Sequence, residues 1–129
     1  MPEKSVVHTT SAPAPVGGAP YSQAIAAGDL VFLSGQVPID PATGALVAGG
    51  VAEQAAQVFT NIEAVLTAAG SGLDRVVKTT VFLTDLAQFG AMNEVYAARM
   101  PEPFPARSTV EVSALPAGAS VEIEVVALR

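Results

Sequence analysis

The sequence has no cysteine and no tryptophan, a single histidine, and only six lysines and arginines in 129 residues. Each absence closes a class of chemistry. Without cysteine there is no disulfide and no thiolate to act as nucleophile or ligand. The one histidine, His8, has no cluster of further His, Asp or Glu beside it, so no zinc site is expected. It lies in an apolar-alternating N-terminal segment and reads as structural or exposed. Six basic residues stand against twelve acidic ones, for a net charge of −6, and no basic run occurs. Nucleic-acid affinity rests on neutralising phosphates with Lys and Arg, so nucleic acid is not an expected partner. No stretch approaches the ~18 uninterrupted apolar residues of a membrane span. The segment MPEKSVVHTT has no basic region followed by an apolar run, so no secretory leader is expected and the cytoplasm is the expected location. The glycines form neither G-x-x-x-x-G-K-S/T nor a G-x-G-x-x-G after a strand, which leaves nucleotide cofactors unsupported.

What is present is apolar. Half the chain is hydrophobic and only 14% is charged, too little charge for a disordered polymer. Residues 1–129 suit one domain, which at this size buries roughly two-thirds of its unfolded surface. A small monomer commonly carries about 25% charged residues. The deficit predicts that part of the surface is covered by other copies of the chain.

Residues 10–20, rich in Pro, Ala and Gly, read as a loop. Residues 22–27 and 30–35 read as strands joined at Gly28-Asp29, a hairpin signal. The second, Leu30-Val31-Phe32-Leu33-Ser34-Gly35, is nearly continuous in apolar residues and is expected to be covered on both faces. Asp40–Gly44 reads as a turn. Over 51–69 the apolar residues Val51, Ala55, Val58, Phe59, Ile62, Val65, Leu66 and Ala69 recur at the helical period. Glu53, Gln54, Gln57, Asn61 and Glu63 fill the rest, and Gly70 supplies the stop. Residues 75–83 read as a strand. Asp85 with Gln88 resembles a capping box for a helix over about 86–99, with Leu86, Phe89, Met92, Val95, Tyr96 and Met100 facing inward and Pro101 ending it. Strands follow at 106–112 and 120–128, joined through Leu115-Pro116-Ala117-Gly118. The order β-β-β-α-β-α-β-β predicts an α+β fold, one mixed sheet with both helices on one face.

Four polar features interrupt these apolar contexts. Arg107 follows the bend Pro103-Phe104-Pro105 near the start of a strand. Its planar fork suits a carboxylate, either a ligand's or that of Glu122 in a structural ion pair. Glu122 and Glu124 alternate with Val121, Ile123 and Val125, so both carboxylates share one strand face. That face is either solvated or, against apolar walls, a place where a carboxyl becomes an acid–base catalyst. A simple hairpin of the last two strands would set Arg107 opposite Glu122. Ser34-Gly35 at a strand end offers a hydroxyl and backbone amides, although no nucleophile elbow or nearby histidine makes a serine triad. Tyr21 either lids a pocket or packs.

Taken in order, Pro20-Tyr21-Ser22-Gln23-Ala24, Leu33-Ser34-Gly35-Gln36-Val37-Pro38, Val77-Lys78-Thr79-Thr80-Val81-Phe82-Leu83, Met92-Asn93-Glu94-Val95-Tyr96, Pro105-Ala106-Arg107-Ser108 and Leu115-Pro116 with Val121-Glu122-Ile123-Glu124 resemble the RidA (YjgF) family of reactive intermediate/imine deaminases. The resemblance covers about residues 12–129. It implies a chorismate-mutase-like α+β fold, assembled as a homotrimer with three clefts between neighbouring subunits. It implies hydrolysis of 2-enamine and 2-imino acids, such as 2-aminoacrylate, 2-iminopropanoate and 2-iminobutanoate, to 2-keto acids and ammonia, with neither cofactor nor metal. By family match Arg107 clamps the substrate carboxylate and Glu122 handles the hydrolytic water and the protons. Tyr21, Ser34 and Gly35 line the cleft, and Asn93 is a further wall residue. The sequence departs from the family pattern at Thr109, where many members have cysteine, and at Gly17-Gly18-Ala19-Pro20, where Gly-Pro is usual. Competing readings are a regulatory trimer that binds small carboxylates without turnover, a ribonuclease or translation inhibitor, and a chaperone-like protein.

Overall fold

The alternation expected of the strands and the helical period of 51–69 are both realised in the computed structural model, which describes residues 3–129. Among these residues eight strands and two α-helices form in the order β1 (Lys4–Val7), β2 (Ala24–Ala27), β3 (Leu30–Gln36), β4 (Ile39–Asp40), β5 (Ala45–Leu46), α1 (Val51–Ala68), β6 (Val76–Leu83), α2 (Phe89–Arg99), β7 (Ala106–Glu111) and β8 (Val121–Leu128). Six strands make one sheet in the order β1-β2-β3-β8-β6-β7. All its neighbours run antiparallel except β6 and β7, which are parallel. The fold is therefore α+β, and both helices lie on one face of this sheet.

The reasons are local. α1 presents Ala55, Val58, Phe59, Ile62, Val65 and Leu66, none of which is exposed, to Val31, Leu33, Val121, Ile123 and Val125 of the sheet. Glu53 accepts a hydrogen bond from the Gly50 N–H at 3.0 Å and closes the first turn. Gly70, at φ 77°, takes the left-handed conformation that ends the helix. Asp85 accepts from the Ala87 N–H at 2.9 Å, but the turn it opens, Leu86–Gln88, is a short 3-10 turn, and α2 proper begins at Phe89.

Asp40–Gly44 is the turn expected, and it closes a small separate hairpin of β4 with β5. Four expectations are corrected. Leu86 and Phe89 do not face inward; Met92, Tyr96 and Met100 do. The apolar run of β3 is covered by the chain on one face only, and Phe32 is 45% exposed on the other. Gln54 and Asn61, read as filling the polar side of α1, are buried. The last two strands do not pair as a hairpin: β8 inserts between β3 and β6, and β7 pairs with β6 alone. Adding β8 beside β3 buries strand faces of Val and Ile against α1, and β7 is left at the edge.

The face opposite the helices is open. Through the strand registers Val6, Ile25, Phe32, Val126 and Leu128 share it with Lys78, Thr80, Phe82, Glu122, Glu124 and Val110. Several of its apolar side chains, Val6, Phe32, Val110 and Leu128, are exposed.

Candidate functional site: two half-sites on opposite faces of the sheet

The ladder places the two proposed catalytic residues apart. Arg107 pairs with Thr79 and Glu122 pairs with Phe82, both across β6. Thr79 and Phe82 are three positions apart, so they point to opposite faces. Arg107 is therefore on the helix side and Glu122 on the open side. They form no ion pair; among the described residues Arg99–Glu63, at 3.9 Å, is the one that forms.

The Glu122 half is built where β3 departs from regular pairing. Leu33 opposes Val125, yet Gln36 opposes Ile123, so β3 carries one extra residue at Ser34-Gly35. Such a bulge bends its strand and re-aims side chains. Gly35 is the close approach this requires: a Cβ there would overlap the Glu122 carboxylate and lie 2.7 Å from its Cδ. Ser34 is fixed by its Oγ, which donates to the Ser22 carbonyl at 2.6 Å, and by its N–H, which donates to the Gln23 carbonyl at 3.0 Å. The Tyr21 hydroxyl accepts from the Val16 N–H at 2.8 Å, which holds the half-exposed ring over the opening. Tyr21, Ser34, Gly35, Val37, Pro116 and Glu122 enclose a cleft of about 450 Å³. Burial pushes the Glu122 carboxyl above the usual carboxylate range, and the neighbouring Glu124 charge adds to the effect.

The Arg107 half lies on the edge strand. Its guanidinium carbon stands 4.7 Å from the centroid of the Tyr96 ring and 5.5 Å from that of Phe89, both within cation–π range. Tyr96 is locked in place. Its hydroxyl bonds the buried Thr79 hydroxyl at 2.8 Å, and its ring meets Phe59 edge-on at 5.5 Å. Arg107 makes no hydrogen bond among the described residues, so its donors are free. Asn93, Tyr96, Ala97, Phe104, Pro105 and Arg107 line a hollow of about 290 Å³. Two buried polar atoms there and on the same strand face, Asn93 Oδ1 and Thr109 Oγ1, have no partner among the described residues.

Thus Tyr21, Ser34, Gly35 and Glu122 come together, and Asn93 joins Arg107. The sequence reading missed Tyr96, which carries the guanidinium, and Phe104, half exposed at the rim. Tyr96 falls on a stripe where packing was expected, and Phe104 in the bend before Arg107 where only the bend was read. Outside these two places, His8 is exposed beside a hollow of about 440 Å³ lined otherwise by uncharged residues. No three His, Asp or Glu side chains among the described residues are grouped to hold a metal ion. No helix among them is long and apolar enough to cross a membrane.

A profile of the Endoribonuclease L-PSP family matches residues 9–129. A RutC family protein of Pyrococcus horikoshii is 51% identical over 98% of both chains. The mouse protein named 2-iminobutanoate/2-iminopropanoate deaminase is 46% identical over 98% of this chain and 92% of its own. The crystal structure of RidA from an Antarctic Psychrobacter superposes with a TM-score of 0.92 at 48% identity, covering 97% of this chain and 99% of that one. A match of this extent, on the fold described, means that this chain belongs to the RidA (YjgF) family, the Endoribonuclease L-PSP group.

Proposed function

We propose that this protein hydrolyses 2-imino acids, and the enamines that tautomerise to them, to 2-keto acids and ammonia, at a cleft built from two copies of the chain. What supports the reading is a guanidinium without a counter-ion in one hollow and a half-buried carboxyl of raised pKa in another. They stand on opposite faces of one sheet, in a chain similar to proteins named for this deamination. Neither half is a complete site: one holds a cation and no base, the other a base and no cation. The open apolar face next to Glu122 and the low charge content favour a second copy as its cover. Three copies, each offering its Arg107 half to the Glu122 half of the next, close into a homotrimer with three equivalent clefts.

The chemistry then needs little. Arg107 holds the substrate carboxylate through paired N–H donors, with its plane fixed by Tyr96. The iminium carbon is already electrophilic. A water attacks it while Glu122 removes the water's proton, forming a C–O bond and a tetrahedral carbinolamine. Glu122 returns a proton to nitrogen, the C–N bond breaks, and the departing ammonia takes the proton that the hydroxyl loses as the carbonyl forms, leaving as ammonium. One water is consumed, and the scheme uses no redox step, metal or cofactor. Asn93 walls the Arg107 side, while Tyr21, Ser34 and Gly35 shape the side facing Glu122. Substrate released by pyridoxal-phosphate dehydratases acting on serine and threonine would place this work in the cytoplasm. Glu122 sets this reading above carboxylate binding without turnover, and six basic residues set it above action on RNA.

The test is the rate of keto-acid appearance from imines generated in situ by threonine or serine dehydratase, with a trapping amine in competition. Wild type should outpace the uncatalysed reaction and Arg107→Ala should not. A wild-type protein that is intact as a trimer yet adds nothing to the uncatalysed rate contradicts the reading.

A further inference from the structure

Gln54 and Asn61 are buried, at 5% and 0% exposure, and take no part in the scheme above. A buried amide is costly unless it is hydrogen-bonded, and a leucine would pack at least as well in a helix of this kind. Both amides are used. Gln54 Oε1 accepts from the Ser120 N–H at 2.8 Å. Asn61 Nδ2 donates to the carbonyls of Val37, at 3.1 Å, and Ile39, at 3.0 Å, while its Oδ1 accepts from Gln57 Nε2 at 2.9 Å. Seven residues apart, the two sit two turns along one face of α1.

Their partners share a feature. The Val37 and Ile39 carbonyls come after the bulge, where β3 has left β8, and the Ser120 N–H comes just before β8 begins. All three are backbone groups that lie outside the six-stranded sheet, Ile39 being in β4. Val37 is a wall of the Glu122 cleft, and Ser120 is two residues from Glu122. From behind the sheet, α1 therefore grips both sides of the cleft.

We infer that Gln54 and Asn61 are positioning residues: through the backbone, they hold the β3 bulge and the start of β8 at the spacing that seats the Glu122 carboxylate in its cleft. The inference rests on the reading of Glu122 as the acid–base group, and its test has a readout that does not need activity. Gln54→Met deletes the acceptor at equal length, Gln54→Glu keeps it, and Asn61→Ser shortens the donor. Each is followed by thermal unfolding, by a carboxyl carbon NMR titration of Glu122 and by deamination kinetics. The groups that share Glu122's surroundings, Glu124 on its own strand, Tyr21 across the cleft and Lys78 farther along the open face on β6, are the same in all variants, and only Gln54→Glu adds a carboxyl.

The inference predicts that in Gln54→Met the Glu122 midpoint falls by about half a unit or more toward the ordinary carboxylate value. There kcat should drop by about tenfold with KM within about twofold. Gln54→Glu, which keeps the acceptor, should show no such fall in the midpoint and a smaller loss of kcat. If Gln54→Met does not fold, Asn61→Ser carries the same comparison. Folded variants whose Glu122 titrates as in wild type overturn the inference, whatever their rates. So does a set in which only Gln54→Glu folds, because the amides then serve stability alone. Failure of the deaminase reading shows separately, as a wild type without activity whose Glu122 titration still responds to Gln54→Met.

Discussion

The two half-sites are built by different means. The Glu122 half is made of paired strands. Ser34, Tyr21 and the backbone beside Gly35 have their hydrogen bonds, and two amides of α1 brace the walls. The Arg107 half stands on an edge strand. Its guanidinium is held by ring faces, Phe104 is half exposed, and Asn93 Oδ1 and Thr109 Oγ1 have no partner among the described residues. The lesson is about where preorganisation is needed. A carboxyl that must be kept partly out of water, at an unfavourable charge, needs rigid walls. A cation that waits for an anionic substrate needs only its plane fixed, and stacking does that without neutralising it.

The comparison can be broken at its ends, beginning with the strongest effect. Glu122→Gln keeps the shape and removes the base. Its kcat should fall by on the order of 10³, with KM little changed, in steady-state kinetics on dehydratase-generated imines. Arg107→Ala should cost roughly a hundredfold in kcat/KM. Arg107→Lys should recover little of it, since an ammonium offers neither the fork nor the flat face that lies on Tyr96. Gly35→Ala tests the fit of the first half. The added Cβ meets the Glu122 carboxylate end, which is flexible, so that side chain is displaced and the fold is spared. Activity should drop by about tenfold while the unfolding temperature stays close to wild type. A large loss of stability would mean that the bulge, not the carboxylate, gives way.

Acidity separates the halves further. Glu122 is harder to ionise in the folded protein than in the unfolded chain, because of burial first and Glu124 second. The base form is the ionised one, so kcat/KM should rise through a midpoint above the ordinary carboxylate range of about 4.3. For stability the sign is opposite. A raised folded value gives its full contribution below the unfolded value, and that contribution is lost as pH rises through the folded one. Glu122→Gln should therefore unfold at a slightly higher temperature than wild type at neutral pH, and at the same temperature below about pH 4. Scanning calorimetry at the two pH values reads this directly.

How much of this was readable from the residues depends on distance along the chain. The β2–β3 hairpin at Gly28-Asp29, the span of α1 and the shared face of Glu122 and Glu124 all follow from local period and turn chemistry, and the structure has each of them. The insertion of β8 between β3 and β6 does not follow, because strands that adjoin in sequence invite a hairpin and nothing local forbids it. That one pairing sends Arg107 and Glu122 to opposite faces. The bulge had a signal, glycine within an apolar strand, which went unread as such. Gln54 and Asn61 had none: a polar residue on a helix looks solvent-facing until the backbone groups it must satisfy are in place.

The central claim is that one working site takes Arg107 from one copy and Glu122 from another. Mixing Arg107→Ala subunits with Glu122→Gln subunits, after dissociation and reassembly, tests it most directly. Each parent alone should be close to inactive. In an equal, random mixture about a quarter of the clefts combine an intact Arg107 with an intact Glu122, so about a quarter of wild-type activity should return. A mixture no more active than its parents, with reassembly verified, would contradict the shared site and put both residues to work within a single chain.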